Sequence, residues 1–334
     1  MDNDDTGVAV RLHGIGALRG TSEPRPVAGD GMSLVRVTAV GLCGSDLHWF
    51  THGGIGDARL TRPVVPGHEF AGVVTGGPLH GRRVAVDPAI PCGRCARCLE
   101  GNRNLCPTVR FAGHGELDGA LREWLAWPTG LLHPLPDDLS DTDGAMLEPL
   151  GIAVHAFDLG HLRLGGSVAV VGCGPIGLLL IQLARVAGAT RVVAMDPLVH
   201  RTDAARRLGA DETVTAETAD HMDGVDADVV FEVAGNDRAV HAAVAAARPG
   251  GRVVLVGIPD EDTTTLPAGA ARRKGLTFAM CRRMNHVYPR AIDLVQRGRV
   301  DVASLVTHRF PLSEATEAFR TAVRRAGLKV VVTP

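Results

Sequence analysis

The stretch Ser167 to Asp196, SVAVVGCGPIGLLLIQLARVAGATRVVAMD, decides the fold. SVAVV and RVVAMD are short apolar runs that read as strands buried on both faces, and PIGLLLIQLARV between them is an apolar helix with proline at its first position. The turn joining strand to helix is VGCGPIG, in which Gly172, Gly174 and Gly177 form a GxGxxG pattern. Glycines there permit a tight turn, a close approach of backbone to a pyrophosphate and close helix packing, while the helix N-terminus attracts phosphate. Such a match alone is weak, and a glycine-tolerant turn in an unrelated doubly wound domain is the competing reading. It is strengthened by Asp196, 19 residues past Gly177 at the end of the second strand. A carboxylate there accepts hydrogen bonds from adenosine ribose hydroxyls and repels a 2′-phosphate, which favours NAD over NADP. Gly172, Gly174, Pro175, Ile176, Gly177 and Asp196 are therefore expected at the cofactor.

Working outward, RTDAARRLGA reads as a helix, DADVVFEVAG as a strand, AVHAAVAAARPGG as a helix, and RVVLVG and LTFAM as further strands. Strands alternating with helices imply a parallel sheet wound on both faces. The first 150 residues differ: SLVRVTAV, EFAGVVTG and GRRVAVDPA are strands between turn formers, so this half is mostly β. Beyond LTFAM come two amphipathic helices, PRAIDLVQRGRV and SEATEAFRTAVRRA, and a terminal strand, LKVVVTP.

The 334 residues suffice for about two domains. With 45% hydrophobic and 22% charged residues, disordered and fibrous classes are excluded. Thirty-five basic against 37 acidic side chains give a net charge of −2, which argues against nucleic-acid and membrane-surface partners. The longest apolar stretch, Val168 to Ala184, is interrupted by Gly172, Gly174, Pro175, Gly177 and Gln182 and is too short to span a bilayer. MDNDDTGVAVRLHG is acidic and lacks a signal-peptide layout, so a cytoplasmic protein is expected.

In a reducing compartment seven cysteines are better read as metal ligands or buried thiols than as disulfides. Cys92, Cys95, Cys98 and Cys106 fall within 15 residues, CGRCARCLEGNRNLC, as a short loop closing on one structural zinc ion would have them. An iron–sulfur cluster competes, because Cys-x2-Cys-x2-Cys followed by Cys-Pro echoes a ferredoxin run, although the last gap is seven residues. A nucleic-acid zinc knuckle aided by Arg94, Arg97 and Arg103 is the third reading.

VGLCGSDLHWFTHGGIGD, VVPGHEFAGVV, the four-cysteine lobe, LEPLGIAVHA, VGCGPIG and LVTHRFPLSEATEAF resemble, in order and spacing, the zinc-containing medium-chain dehydrogenases, most nearly the sorbitol (L-iditol) dehydrogenase branch. The resemblance spans about Val37 to Phe319. It implies a GroES-like catalytic domain over residues 1–149, a Rossmann NAD-binding domain over 150–283, and a return to the catalytic domain over 284–334. It further implies a catalytic zinc on Cys43, His68 and Glu69, with Glu148 as a fourth ligand or a water-mediated one, and Asp46 orienting the His68 ring. Ser45 would accept the substrate hydroxyl's proton and His48 carry it to solvent. Arg201, Val256, Gly257 and Arg282 would contact the cofactor, and Trp49, Glu148 and Arg282 the substrate. The implied reaction passes hydride from the secondary alcohol of a polyol, cyclitol or similar sugar-like compound to NAD, in a homo-oligomer, dimer or tetramer. A sugar acid such as L-idonate is the alternative, since Trp49 and the segment from Asn285 to Pro289 depart from the branch pattern.

Overall fold

The computed structural model describes residues 6–216, 218–259 and 262–334. The chain divides into two compact units: Met1–Glu148, Tyr288–Gln296 and Val302–Pro334 form one, and Pro149–Val287 with Arg297–Asp301 the other. The boundary falls inside the helix Asp141–Gly160, at Pro149, whose missing N–H breaks the helical ladder. The chain returns to the first unit at Tyr288 rather than 284, because Met284 and Val287 pack against Gly151 of the second unit. Arg297–Asp301 also belongs to the second unit, where the Gln182 amide pairs with Asp301 in both directions, 3.0 Å to its carbonyl and 2.7 Å from its N–H.

The first unit is built on a seven-stranded sheet. Its main path runs Leu132–Pro134, Arg83–Val86, Glu69–Gly76, Met32–Gly41, Lys329–Thr333, Val306–Pro311, with Trp124–Pro128 also pairing on Met32–Gly41. Met32–Gly41 alternates buried and more open positions along most of its length, whereas Glu69–Gly76, Arg83–Val86 and Lys329–Thr333 are buried in consecutive runs, over a core of Phe50, Phe70, Trp127, Leu121 and Phe319. In this register Gly41 faces Glu69 on one side and Val331 on the other. The last strand of the chain therefore lies beside the residues that lead into Cys43.

The second unit is a six-stranded parallel sheet in the order Glu212–Val214, Arg191–Met195, Ser167–Val171, Ala227–Glu232, Ala247–Leu255, Thr277–Met280. This is the doubly wound arrangement expected from the sequence. Its central strands are buried on both faces, which explains why SVAVV and RVVAM are apolar at every position after the half-buried Ser167 and Arg191. One boundary differs. The helix expected to run through ARPGG ends at Ala246, and residues from Ala247 extend as strand, because proline disfavours helix both at Pro249 and just before it. Among the described residues no helix is long and apolar enough to cross a membrane.

Candidate metal and dinucleotide sites

Cys43 ends the loop after Met32–Gly41 and caps the helix Gly44–His52. Three residues on, Asp46 closes a reciprocal cap, its Oδ2 accepting the Cys43 N–H at 3.0 Å. Its Oδ1 accepts the Gly67 N–H at 3.1 Å and lies 3.4 Å from His68 Nδ1. One buried carboxylate thus joins the helix start to the turn carrying His68. Burial opposes the charge on Asp46, but His68 and the Cys43 amide outweigh it and hold the carboxyl at about 2. Burial likewise disfavours a charged His68, yet Asp46 and Cys43 raise it well above its ordinary value. Asp46 at Nδ1 leaves Nε2 facing the other way, where Ser45 Oγ lies at 3.4 Å.

The ligating atoms of Cys43, His68 and Glu69 all lie within 4.8 Å of one another. Thiolate, imidazole and carboxylate at this separation suit zinc, whose bonds to such donors are about 2.0–2.3 Å. Gly41 makes the approach possible: a Cβ there would stand 2.2 Å from Glu69 Oε2 and 3.1 Å from Lys329 Cε. Lys329 is 4% exposed, and its Nζ donates to Glu69 Oε1 at 2.6 Å and contacts Oε2 as an ion pair. Glu148 is buried and lies outside the 4.8 Å group. Burial pushes its carboxyl up to about 8, with His68 and Lys329 pulling downward and Glu69 adding to the rise. Around His68 stand two rings that sequence reasoning missed, Phe111 and His114, each with its centroid 5.2 Å away. His114 is flanked by two glycines in AGHGE, which was the available signal. Trp49, expected at the substrate, is 2% exposed and packs in the core, 5.9 Å from the His114 ring. His48 is half-buried on the same helix, with the exposed His52 one turn on and 5.8 Å away.

The four lobe cysteines also place their sulfurs within 4.8 Å of one another, with Cys92 and Cys98 at 4.0 Å. A single tetrahedral ion with Zn–S bonds of about 2.3 Å sets its sulfurs about 3.8 Å apart, whereas a cluster of several irons spreads its cysteines over different metals. Backbone amides are aimed at the sulfurs: Cys95 N–H donates to Cys92 Sγ and Cys92 N–H to Cys106 Sγ, each at 3.4 Å. Amide donors from Arg94 and Cys95 lower the Cys92 thiol to about 6, toward the thiolate a metal requires.

In the second unit Gly172 adopts φ 104°, and a Cβ on Gly177 would lie 1.9 Å from the Gly172 carbonyl, so the turn tolerates only glycine at both places. Gly174 caps the helix Pro175–Val186. The first amides of that helix, at Ile176 and Gly177, have no acceptor within the helix and suit a phosphate. Asp196 is buried, its Oδ2 accepting the Cys173 N–H at 2.8 Å and its Oδ1 the Leu198 N–H at 2.9 Å, and each oxygen keeps a further lone pair. Arg201 Nη1 lies 3.7 Å from Asp196 Oδ2. The Val256 and Gly257 amides donate to the Glu232 carbonyl, and Arg282 is exposed just past the edge strand.

These two arrangements recur in known proteins. Residues 29–137 match the alcohol dehydrogenase GroES-like domain and residues 175–297 the zinc-binding dehydrogenase model. The chain is 36% identical to sorbitol dehydrogenase of Gallus gallus over 340 residues, covering 97% of this chain and 96% of the relative, and 32% identical to sorbitol dehydrogenase of Bacillus subtilis, covering 98% and 97%. The chain belongs to the zinc-containing medium-chain dehydrogenases. The solved structure of L-idonate 5-dehydrogenase from Escherichia coli superposes on this medium-chain dehydrogenase with a TM-score of 0.92 at 27% identity, covering 98% of each chain. The medium-chain dehydrogenase is thus an oxidoreductase that works with zinc and a nicotinamide dinucleotide, and its GroES-like and Rossmann folds are those expected from its sequence.

Proposed function

We propose that this dehydrogenase oxidises a secondary alcohol of a polyol or cyclitol to the ketone with NAD, and that Cys43, His68 and Glu69 hold the catalytic zinc while Cys92, Cys95, Cys98 and Cys106 hold a structural one. The observation that carries the reading is the convergence of a half-buried thiol with a buried imidazole and a buried carboxylate within 4.8 Å, with the Ser45 hydroxyl on the same imidazole. When bound, the zinc polarises the substrate oxygen and the dinucleotide takes the hydride. Ser45 Oγ accepts the proton of the substrate hydroxyl and passes its own to His48, from which the exposed His52 leads to water. Asp46 holds His68 in place, and Glu148 serves the ligand group as a fourth ligand or through a water. Asp196 binds the adenosine ribose hydroxyls, with Pro175, Ile176 and Gly177 at the pyrophosphate.

Seven free cysteines accord with a cytoplasmic home. The outer strand Thr277–Met280 pairs with Ala247–Leu255 alone among the described strands and exposes 74% of Met280, an edge that a second copy would cover in a homo-oligomer.

The test is NAD reduction across polyols, cyclitols and sugar acids. Turnover on neutral polyols or cyclitols supports the proposal, and activity confined to sugar acids replaces it with the L-idonate-type reading. Ser45→Ala should then cut kcat by about 100-fold with zinc content unchanged, and His48→Ala should lose less and recover as buffer concentration rises.

A further inference from the structure

Glu232 ends the strand Ala227–Glu232, is 1% exposed and takes no part in the reaction above. Its Oε1 accepts the N–H groups of Ala234 at 2.8 Å and Gly235 at 2.7 Å, and its carboxylate also accepts from Gly257. Its main-chain oxygen accepts from Val256 at 2.8 Å and Gly257 at 3.1 Å. Burial raises the carboxyl above its ordinary value and the three amides pull it back. One residue is thereby the junction of two loops, 233–235 and 256–258. The loops touch backbone to backbone: a Cβ on Gly257 would lie 2.2 Å from Gly235 N, and one on Gly235 would lie 2.3 Å from the Ile258 carbonyl. The glycine turn completes the stack, since the Gly172 position lies 3.1 Å from Ala234 N by the same measure.

Sheet order says what these loops face. Ser167–Val171 has Arg191–Met195 on one side and Ala227–Glu232 on the other, and Asp196 follows the former. A dinucleotide with its pyrophosphate at the helix start and its adenosine ribose on Asp196 must lay its other half over the opposite side, where 233–235 and 256–258 emerge at the carboxyl ends of their strands. We propose that Glu232 is a positioning residue for the nicotinamide half of the cofactor, gathering the amides of Ala234, Gly235 and Gly257 so that both loops present one fixed surface. This inference rests on the NAD reading above.

The experiment uses the full-length zinc-loaded enzyme and measures dissociation constants for NAD and for ADP-ribose, which lacks the nicotinamide. Glu232→Gln keeps the shape but sets an NH2 group against an amide donor. The expected result is an NAD dissociation constant raised about tenfold or more, ADP-ribose binding within about twofold, unchanged zinc content, and a loss in kcat/KM carried by KM for NAD. Unchanged NAD affinity overturns the proposal, and so does equal weakening of both ligands, which marks Glu232 as general support for the unit. If the unsubstituted enzyme binds neither ligand, the NAD reading fails and this inference with it. A second measurement needs no variant: in the unsubstituted enzyme, hydrogen exchange at 233–235 and 256–258 should slow together on adding NAD and respond little to ADP-ribose. Independent behaviour of the two segments overturns the clamp.

Discussion

The sequence contains two lysines, and neither serves as a solvated surface charge. Lys274 donates to the carbonyls of Val244, Ala245 and Ala247, closing the end of the helix Asp237–Ala246. Lys329 is buried on Glu69. Burial works against its charge, but Glu69 and Cys43 prevail and raise its pKa above the ordinary value. Lys329→Met leaves the Glu69 carboxylate buried without its cation, and breaking such a pair costs about 3–5 kcal/mol. The expected result is a loss of that order in denaturant unfolding of chelator-treated protein, and a smaller loss with zinc bound, since the metal then balances Glu69. Equal stability of the chelator-treated forms would show that the pair contributes nothing net. Asp196 supports a second expectation. If it binds two ribose hydroxyls as proposed, those bonds would contribute about 1.5–3 kcal/mol each, so kcat/KM should favour NAD over NADP by about 100-fold. Arg201 at 3.7 Å offers a 2′-phosphate some compensation, so Asp196→Ala should bring the ratio toward one. A wild-type enzyme equally active with NADP would remove Asp196 from the role.

At the scale of elements, how legible the sequence was depended on how local each signal is. The glycine turn reads directly because its backbone geometry demands glycine at fixed spacing, and the cysteine lobe because its four ligands are contiguous. Cys43, His68 and Glu69 come from two separate loci and emerged only through resemblance. Lys329 and Glu232 were invisible as functional residues, since what places Lys329 on Glu69 is strand register across 260 positions, and what makes Glu232 a junction is two loops meeting after different strands. The helix Asp141–Gly160 was also unforeseen: Gly144, Pro149 and Gly151 obscure its period, although Ser140 and Asp143 cap its start reciprocally. A tertiary pairing of elements carries its own expectation. His133, on Leu132–Pro134, stacks at 4.3 Å on Tyr288 of the helix Tyr288–Gln296, whose hydroxyl donates to the Val86 carbonyl at 2.7 Å. Burial first, and then Arg103, lowers His133 to about 4. Its folded pKa lies below the unfolded 6.5, so this contribution is complete above pH 6.5 and is lost as pH falls toward 4. His133→Phe should keep the stack and remove the proton uptake, flattening the fall in Tm between pH 7 and 5 relative to wild type. Parallel pH profiles would rule out His133 as a source of the acid sensitivity.

For the whole molecule the two metal clusters differ in what stands behind them. At Cys43, His68 and Glu69 the protein supplies its own balance: Asp46 braces the imidazole, Lys329 neutralises Glu69, and a sheet core surrounds the group. The fold there is therefore expected to hold without the metal. The cysteine lobe has no comparable support. Its only regular structure is the single turn Ala96–Leu99, the short 3-10 segment Arg103–Leu105 and a two-residue strand pair, and Leu99 and Leu105 are exposed. Four thiolates drawn together without a cation repel one another, so metal binding contributes folding energy at that site directly. Purified enzyme prepared without chelators should therefore contain two zinc ions per chain. Chelation should proceed in two stages: one ion leaves with loss of turnover and little change in circular dichroism or NAD binding, and the second leaves with a fall in Tm and exposure of the lobe to protease. Cys95→Ser should hold one zinc and resemble the second stage, whereas Cys43→Ala should hold one zinc, bind NAD and lack turnover. Metal analysis paired with melting decides the matter. One zinc in the wild type refutes the two-site assignment, and simultaneous loss of both ions with unfolding refutes the claim that the Cys43 site is supported without its metal.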